Sequence, residues 1–236
     1  MIKLPFSDGS GDYLVNPSKI IALGLNYQAH IEESVSVNVK GFDKVAPKEP
    51  VLFPKAPSSL IGPGEDIIIP AALSDYDFPT PSRTDHEAEL AFIIKDECKD
   101  VPAEEAYSHI LGYTCFNDVS QRNLQTGDKA GWFRGKSLDT FGPIGPVIVK
   151  TEDLEDPQNL NICCRLNGKL VQESNTSFMI FRIPEIVAFI SRWFTLKPGD
   201  IIITGTPSGI SPLKGGDVVE VEIEKIGILK NRVIAG

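Results

Sequence analysis

The sequence predicts a β-rich α+β fold built as one domain over residues 1–236, and three observations support this prediction. Glycine and proline account for 38 of the 236 residues, a share typical of many short strands and tight turns rather than of a helical bundle. The apolar runs are short and end in turn residues, as strands do. No internal repeat or linker-like stretch divides the chain, which is long enough to bury a full core.

The first half of the chain contains four predicted strands, one predicted helix and one irregular segment. The strands are short apolar runs bounded by turn residues, and they cover residues 19–26, 51–53, 66–70 and 87–94. A helix is predicted over residues 102–112, because Pro102 stands at its start and Gly112 just past its end. Residues 28–49 begin with polar residues compatible with a helix and continue without a clear period, so we predict a mobile lid there.

The second half contains a hairpin, a helix and two further strands. Asn167-Gly168 separates two apolar runs, which predicts a two-residue turn with positive φ angles at both positions. Residues 183–194 have an amphipathic helical pattern with Ile186, Val187, Phe189, Ile190 and Trp193 on or near one face. Residues 196–203 predict a turn followed by a strand. Near the C-terminus, Val219 to Glu224 alternates apolar and acidic residues, which predicts a half-exposed strand.

The charge balance excludes several classes of partner. A formal net charge of −9 without an evident basic patch makes nucleic acid and anionic membranes poor partners. No apolar run approaches the roughly 20 residues that span a bilayer, and the N-terminus lacks the pattern of a secretory signal.

The four cysteines, Cys98, Cys115, Cys163 and Cys164, are predicted to be reduced in a cytoplasmic protein. The three histidines do not form a zinc-like cluster in the sequence.

Three carboxylates form a candidate metal site. Glu87 and Glu89 are two residues apart on a predicted strand, so both project from one face, and Asp118 directly follows the apolar stretch 110–116. Hard oxygen ligands of this kind suit Mg²⁺, Mn²⁺ or Ca²⁺. Two alternatives stay open on spacing alone: glutamates that simply face water, and an aspartate that serves as a turn or cap residue.

Further polar residues are candidates for catalysis or binding. His30 and Glu33 lie three residues apart, a spacing that suits a general base and the residue that orients it, although a solvated helix face is the more common reason for such a pair. Lys136 lies in a segment punctuated by glycine and proline, where a lysine is commonly a surface residue. Residues 204–209 follow an apolar strand and offer hydroxyl and N–H groups to a carboxylate, unless they form only a tight turn.

Taken together, these motifs resemble the fumarylacetoacetate hydrolase family in their order from about residue 19 to the C-terminus. The motifs that carry the resemblance are Gly24-Leu-Asn-Tyr27, His30-x-x-Glu33, Asp85-His-Glu-Ala-Glu-Leu, Gly112-Tyr-Thr-x-x-Asn-Asp-Val-Ser-x-Arg-x-x-Gln125, Lys136-Ser-x-Asp-Thr-Phe-Gly-Pro, Asn167-Gly and Pro198-Gly-Asp-Ile-Ile-x-Thr-Gly-Thr-Pro-x-Gly. The chain has no counterpart of the long N-terminal domain of true fumarylacetoacetases, so we do not expect that activity. The stretch between Glu33 and Pro50 is longer than in compact acylpyruvate hydrolases, which leaves the size of the substrate open.

The resemblance implies a mixed β-roll or sandwich, a homodimer, and one Mg²⁺ or Mn²⁺ ion. It implies that Glu87, Glu89 and Asp118 are the metal ligands and that Lys136 lies beside the metal. It implies substrate contacts by Arg122, Gln125 and Thr206. It also implies that His30 and Glu33 form a catalytic pair on the lid. The implied substrate is a small 2-oxo acid.

The resemblance also implies a reaction class. We expect hydrolysis of a C–C bond in an acylpyruvate-like 2,4-dioxo acid, which releases pyruvate as its enolate. Isomerisation, tautomerisation or decarboxylation of a dicarboxylic 2-oxo acid, such as 2-hydroxyhepta-2,4-diene-1,7-dioate or oxaloacetate, is the alternative, because the same enolate arises in each. A metal-binding protein without catalysis is a further alternative.

Overall fold

The computed structural model describes residues 2–33, 45–129 and 131–236. Its strands are β1 Lys3–Pro5, β2 Asp12–Leu14, β3 Ile20–Gly24, β4 Val51–Lys55, β5 Leu60–Ile61, β6 Ile67–Ile69, β7 Thr84–Asp85, β8 Ala88–Ile94, β9 Ile110–Asn117, β10 Ser120–Gln121, β11 Gly142–Lys150, β12 Asn161–Leu166, β13 Lys169–Asn175, β14 Ile201–Ile203, β15 Val218–Ile223 and β16 Gly227–Ala235. Its α-helices are α1 Gln28–Glu33, α2 Arg122–Gly127, α3 Phe133–Lys136 and α4 Ile183–Trp193. Short 3₁₀ helices cover Pro57–Ser59, Ala71–Asp75, Ala103–His109, Thr151–Asp153 and Thr176–Phe178.

A seven-stranded mixed sheet forms the centre of the molecule. Its strand order is β4-β3-β14-β8-β9-β11-β5. Strand β8 lies in its middle, antiparallel to both β14 and β9. All seven residues of β8 are buried, which agrees with its apolar sequence on both faces. Strand β3 pairs in parallel with β14 and antiparallel with β4. Glu89 on β8 and Glu87 just before it therefore lie in the interior of the sheet.

A five-stranded sheet, in the order β13-β12-β15-β16-β6, packs on one face of the seven-stranded sheet. The turn between β12 and β13 is Asn167-Gly168, with φ angles of 53° and 78°, so the predicted hairpin is confirmed. Strand β15 buries Val219, Val221 and Ile223 and exposes the alternating glutamates more, as its pattern predicts.

The core between the two sheets combines side chains from both with helix α4. Leu90 and Phe92 of β8 belong to the same cluster as Val221 of β15 and Ile186 of α4. A second cluster on the opposite face of β8 contains Ala91 and Ile93, and the hairpin β1–β2 lies over it. The β-rich α+β fold is confirmed. Among the described residues, no helix is long and apolar enough to cross a membrane.

Two predicted helices differ from the structure in detail. The segment 102–112 is a 3₁₀ helix over Ala103–His109, and Ile110 already begins β9. The apolar residues from Ile110 onward pair with β8, and this pairing ends the helix before Gly112. On α4, Ile186, Val187 and Ile190 are buried as predicted, but Trp193 is 64% exposed. All four cysteines are free.

Candidate active site

The pairing of β8 with β9 brings three carboxylates together at one end of the central sheet. Glu89 lies on β8 opposite Phe116, and the N–H of Asp118 donates to the Glu87 carbonyl at 2.9 Å. One carboxylate oxygen from each of Glu87, Glu89 and Asp118 lies within 4.8 Å of the other two, and all three residues are buried. The side chains of Glu87 and Glu89 share a face, as their spacing predicts, but they do not face water.

Buried cations hold two of these carboxylates. Lys136 Nζ on α3 donates to Glu87 Oε2 and to Asp118 Oδ2, each at 2.6 Å. Arg122, at the start of α2, donates to Glu87 Oε1 at 2.6 Å and to Gln125 Oε1 at 2.9 Å. Burial alone raises the pKa of Glu87, but Lys136 and Arg122 outweigh burial and keep the pKa well below its ordinary value. Glu87 is therefore ionised, and its geometry is fixed from both sides.

Glu89 is the carboxylate without a compensating cation. It has no ion pair among the described residues, and its Oε2 accepts a hydrogen bond from the Gly205 N–H at 2.6 Å. Burial, followed by the charges of Asp118 and Glu87, raises the pKa of Glu89 well above its ordinary value. A divalent cation among the three carboxylates would remove this electrostatic conflict. The donor set is all oxygen, so it fits Mg²⁺ or Mn²⁺.

His30 and Glu33 lie on α1, against the same site. His30 is buried, and its Nδ1 lies 3.4 Å from Glu33 Oε1. Glu33 Oε1 also accepts a hydrogen bond from the Gly209 N–H at 2.7 Å, so α1 is attached to the loop 204–209. Burial raises the pKa of Glu33, but the contacts with His30 and Gly209 lower it more strongly, so the net shift is downward. The remainder of the predicted lid includes residues 34–44, which lie outside the described part of the chain.

The loop 204–209 lies beside β8 because its polar groups bond to that strand. Thr206 Oγ1 donates to the Ala88 carbonyl at 2.9 Å and accepts a hydrogen bond from Gln172 Nε2 at 2.9 Å. Gly205 has a φ of +92°, and a Cβ there would lie 2.8 Å from Asn26 Cβ. Only glycine therefore allows the loop to bring its N–H to Glu89.

Most of the predicted site residues line one pocket. Its walls include the following seven: His30, Glu87, Glu89, Arg122, Gln125, Lys136 and Thr206. The remaining two predicted site residues lie next to residues of this wall. Asp118 lies beside Glu87 and Glu89, and Glu33 contacts His30. Trp132 and Gly24 also line the pocket, and they are packed so tightly that a Cβ on Gly24 would lie 2.5 Å from the Trp132 ring.

Lys55 is a site residue that sequence reasoning missed. Its Nζ is fully buried and donates to Asp118 Oδ1 at 2.7 Å and to the Lys136 carbonyl. Asp85, which accepts a hydrogen bond from Arg122 Nε at 2.8 Å, was also missed. A signal existed for each: Lys55 continues the apolar run 51–53, and Asp85 stands in a motif with Glu87 and Glu89.

The buried acids outnumber the buried bases at this site. The four acids Asp85, Glu87, Glu89 and Asp118 face the three bases Lys55, Arg122 and Lys136. Arg83, whose side chain is 38% exposed, also donates to Asp85 at 2.7 Å, so among the described residues Glu89 is the one acid of the four without an ion pair. Because ionisation of an unpaired buried carboxylate is costly, a cation beside Glu89 would be the partner that this carboxylate lacks.

We expect Lys55→Met to destabilise the protein by about 3–5 kcal/mol, because it leaves Asp118 with one oxygen unpaired in the interior. The matched control is Lys19→Met, which removes an ion pair to Asp200 from a lysine side chain that is 29% exposed. Chemical denaturation of both variants measures the difference. Equal losses for the two lysines would contradict a special role for the buried pair.

Comparison with known proteins identifies the family. Residues 19–234 match the family described as fumarylacetoacetate (FAA) hydrolase C-terminal. The chain is 48% identical over 238 residues to an uncharacterized protein of Pyrococcus abyssi, covering 100% of this chain and 97% of that protein. It is 40% identical over 229 residues to the mitochondrial oxaloacetate tautomerase FAHD2B of Bos taurus, covering 94% of this chain and 68% of the relative.

Solved structures of similar proteins share the fold. The 5-carboxymethyl-2-hydroxymuconate delta-isomerase of Mycobacterium smegmatis has a TM-score of 0.80 at 42% identity, over 94% of this chain and 78% of that one. The fumarylpyruvate hydrolase of Pseudomonas aeruginosa, in complex with Mn²⁺ and pyruvate, has a TM-score of 0.85 at 27% identity, over 100% of this chain and 96% of that one. The family match and these identities show that the chain belongs to the fumarylacetoacetate hydrolase family.

Proposed function

We propose that the protein is a divalent-metal-dependent enzyme that tautomerises a short dicarboxylic 2-oxo acid such as oxaloacetate. The observation that carries this proposal is the shared pocket, in which His30 lies together with the carboxylates Glu87 and Glu89. A base beside a cation site suits removal of a proton next to a carbonyl group. The oxaloacetate tautomerase relative at 40% identity supports the choice of substrate.

Glu87, Glu89 and Asp118 would hold Mg²⁺ or Mn²⁺, which when bound would stabilise the negative charge that develops on the 2-oxo oxygen of the substrate. The solved hydrolase that contains Mn²⁺ and pyruvate supports this assignment. Lys136 already bridges Glu87 and Asp118, so its ammonium group adds positive charge at the same place. Arg122 and Gln125, bonded to each other, present donors to a substrate carboxylate.

His30 is the general base in this proposal. Its Nδ1 faces Glu33, which leaves Nε2 to take the proton from carbon 3 of the keto acid. The same proton can then be delivered to the 2-oxo oxygen, so the reaction gives the enol with no atom gained or lost. Glu33 orients the ring, and its bond to Gly209 keeps α1 against the pocket.

Aromatic side chains on one wall of the pocket favour a short substrate. Trp132 packs on Gly24 and forms an edge-to-face pair with Phe53, with ring centroids 5.2 Å apart. These aromatic rings form one wall of the pocket that holds His30 and the carboxylates. A four-carbon dicarboxylate needs less room than a long acylpyruvate.

Hydrolysis of a 2,4-dioxo acid, our first expectation from the sequence, is the second candidate. The His30–Glu33 pair equally suits activation of a water molecule, and the hydrolase structure covers the whole chain. Both reactions pass through the same enolate, so the site can serve either.

A substrate panel tests the proposal. With Mg²⁺ or Mn²⁺ present, we expect the ultraviolet signal of the enol of oxaloacetate to relax faster with enzyme, without release of pyruvate or CO₂. Pyruvate release from acylpyruvates, without faster tautomerisation, would replace the proposal by the hydrolase. Pyruvate and CO₂ from oxaloacetate would indicate a decarboxylase. Turnover of no substrate would support a binding protein.

Three other expectations remain predictions. They are a homodimer, a cytoplasmic location, and closure of residues 28–49 over bound ligand.

A further inference from the structure

A second group of metal-ligating side chains lies beyond the far end of β8, away from the carboxylate pocket. Its members are Asp96, Cys98 and His109, and their donor atoms all lie within 4.8 Å of one another. Glu87 and Glu89 stand at the start of β8, whereas Asp96 and Cys98 follow its last residue, Ile94. The two groups therefore belong to opposite ends of one strand.

The backbone around this group is fixed by hydrogen bonds. The Lys95 N–H donates to the His109 carbonyl at 2.8 Å, which joins the exit of β8 to the end of the 3₁₀ helix Ala103–His109. Cys98 exchanges two backbone hydrogen bonds with Leu196, at 3.0 and 2.9 Å. His109 Nδ1 lies 2.5 Å from Asp96 Oδ1. The three side chains thus converge from segments that hold one another in place.

We propose that Asp96, Cys98 and His109 bind a thiophilic divalent cation of the Zn²⁺ class. One sulfur, one imidazole nitrogen and one carboxylate oxygen are the donors that such ions prefer, and three protein ligands leave a fourth position for water. The site differs in kind from the cluster of Glu87, Glu89 and Asp118, whose donors are all oxygen. Cys98 is buried while the Asp96 side chain is 50% exposed, so an ion can enter from solvent.

Acidic groups surround Cys98. The charges of Asp96 and Asp200 both act on it, and Lys19 is already paired with Asp200. A dication bound here would displace the thiol proton to solvent, and its charge would offset the surrounding acids.

Occupancy would have a structural consequence. The ion would tie the loop after β8 to the end of the 3₁₀ helix, and through Cys98 and Leu196 to the connection between α4 and β14. Since it binds only where the three segments are folded together, it would stabilise the native state.

Cobalt(II) titration of the full chain tests the proposal, with excess Mg²⁺ present to compete for the carboxylate cluster. We expect a thiolate-to-cobalt charge-transfer band in the near ultraviolet, which an all-oxygen site cannot produce. Zn²⁺ should abolish the band by displacement. Cys98→Ser should remove it, while the matched control Cys163→Ser, at a half-buried cysteine of β12, should keep it.

A second variant distinguishes loss of a metal ligand from misfolding of Cys98→Ser. His109→Asn should weaken cobalt binding by about tenfold or more, since even indirect partners of a metal change its affinity about 10–100-fold. Tautomerase activity with Mg²⁺ should be unchanged in both variants, which separates this proposal from the proposed function. No charge-transfer band at saturating cobalt would overturn the second site, as would a band that persists in Cys98→Ser.

Discussion

Glu89→Gln is expected to lower Mg²⁺-dependent turnover by at least about a hundredfold, the scale on which loss of one charge-stabilising group acts. The substitution keeps the shape of the side chain and removes its charge. It also removes one of the three carboxylates that would hold the ion. We expect Mg²⁺ to raise the melting temperature of the wild-type protein, because a ligand at about 100 times its Kd contributes about 2.7 kcal/mol to stability. In Glu89→Gln this rise should disappear together with the activity.

The same variant separates a metal ligand from a structural residue. Glu89 is buried next to Asp118 and Glu87, and both neighbours disfavour its ionised form. Glu89→Gln should therefore leave the metal-free protein as stable as the wild type or more stable. The control Glu173→Gln, at an exposed position of β13, should change neither turnover nor the Mg²⁺ response. If Glu89→Gln retains the Mg²⁺-induced rise in melting temperature, the assignment of the metal site is wrong.

The parts of this fold that local patterns determine were predicted from the sequence. Strand β8 is apolar on both faces, and Asn167-Gly168 favours positive φ angles at both turn positions. The predicted end of the helix at residues 102–112 was wrong because the end of this helix depends on a partner strand. Ile110 leaves the helix to pair with Ile94 of β8, and the local pattern of proline and glycine contains no information about that pairing.

The pairing partners of the buried charges were beyond local reasoning for a similar cause. Lys55 and Asp118 are 63 residues apart in the chain, and a lysine is buried only where an acid from another element meets it. The spacing of Glu87 and Glu89 predicted a shared face and left open that they face water, and their assignment as metal ligands came from the resemblance to the family. His109 likewise lies 13 residues from Asp96, at the end of another element, so its proximity to Asp96 and Cys98 has no sequence signature.

The roles of His30 and Glu33 can be separated by their contacts. His30 is buried in the pocket, whereas the Glu33 side chain is 32% exposed and touches both His30 and the Gly209 N–H. Neither residue belongs to the carboxylate cluster. Substitutions here should therefore affect proton transfer and leave the binding of the ion intact, the opposite of the pattern expected for Glu89.

His30→Ala is expected to lower kcat by about 10²–10⁴-fold, the usual contribution of a general base, while the Mg²⁺-induced rise in melting temperature is retained. Glu33→Gln should cause a smaller loss, since His30 keeps its place in the pocket and loses only its orienting carboxylate. The double variant should be no slower than His30→Ala, because Glu33 acts through the imidazole. Glu32→Gln, the exposed neighbour on α1, should be unaffected. Undiminished turnover in His30→Ala would remove the pair from the mechanism, and the proton would then have to be taken by another group lining the pocket.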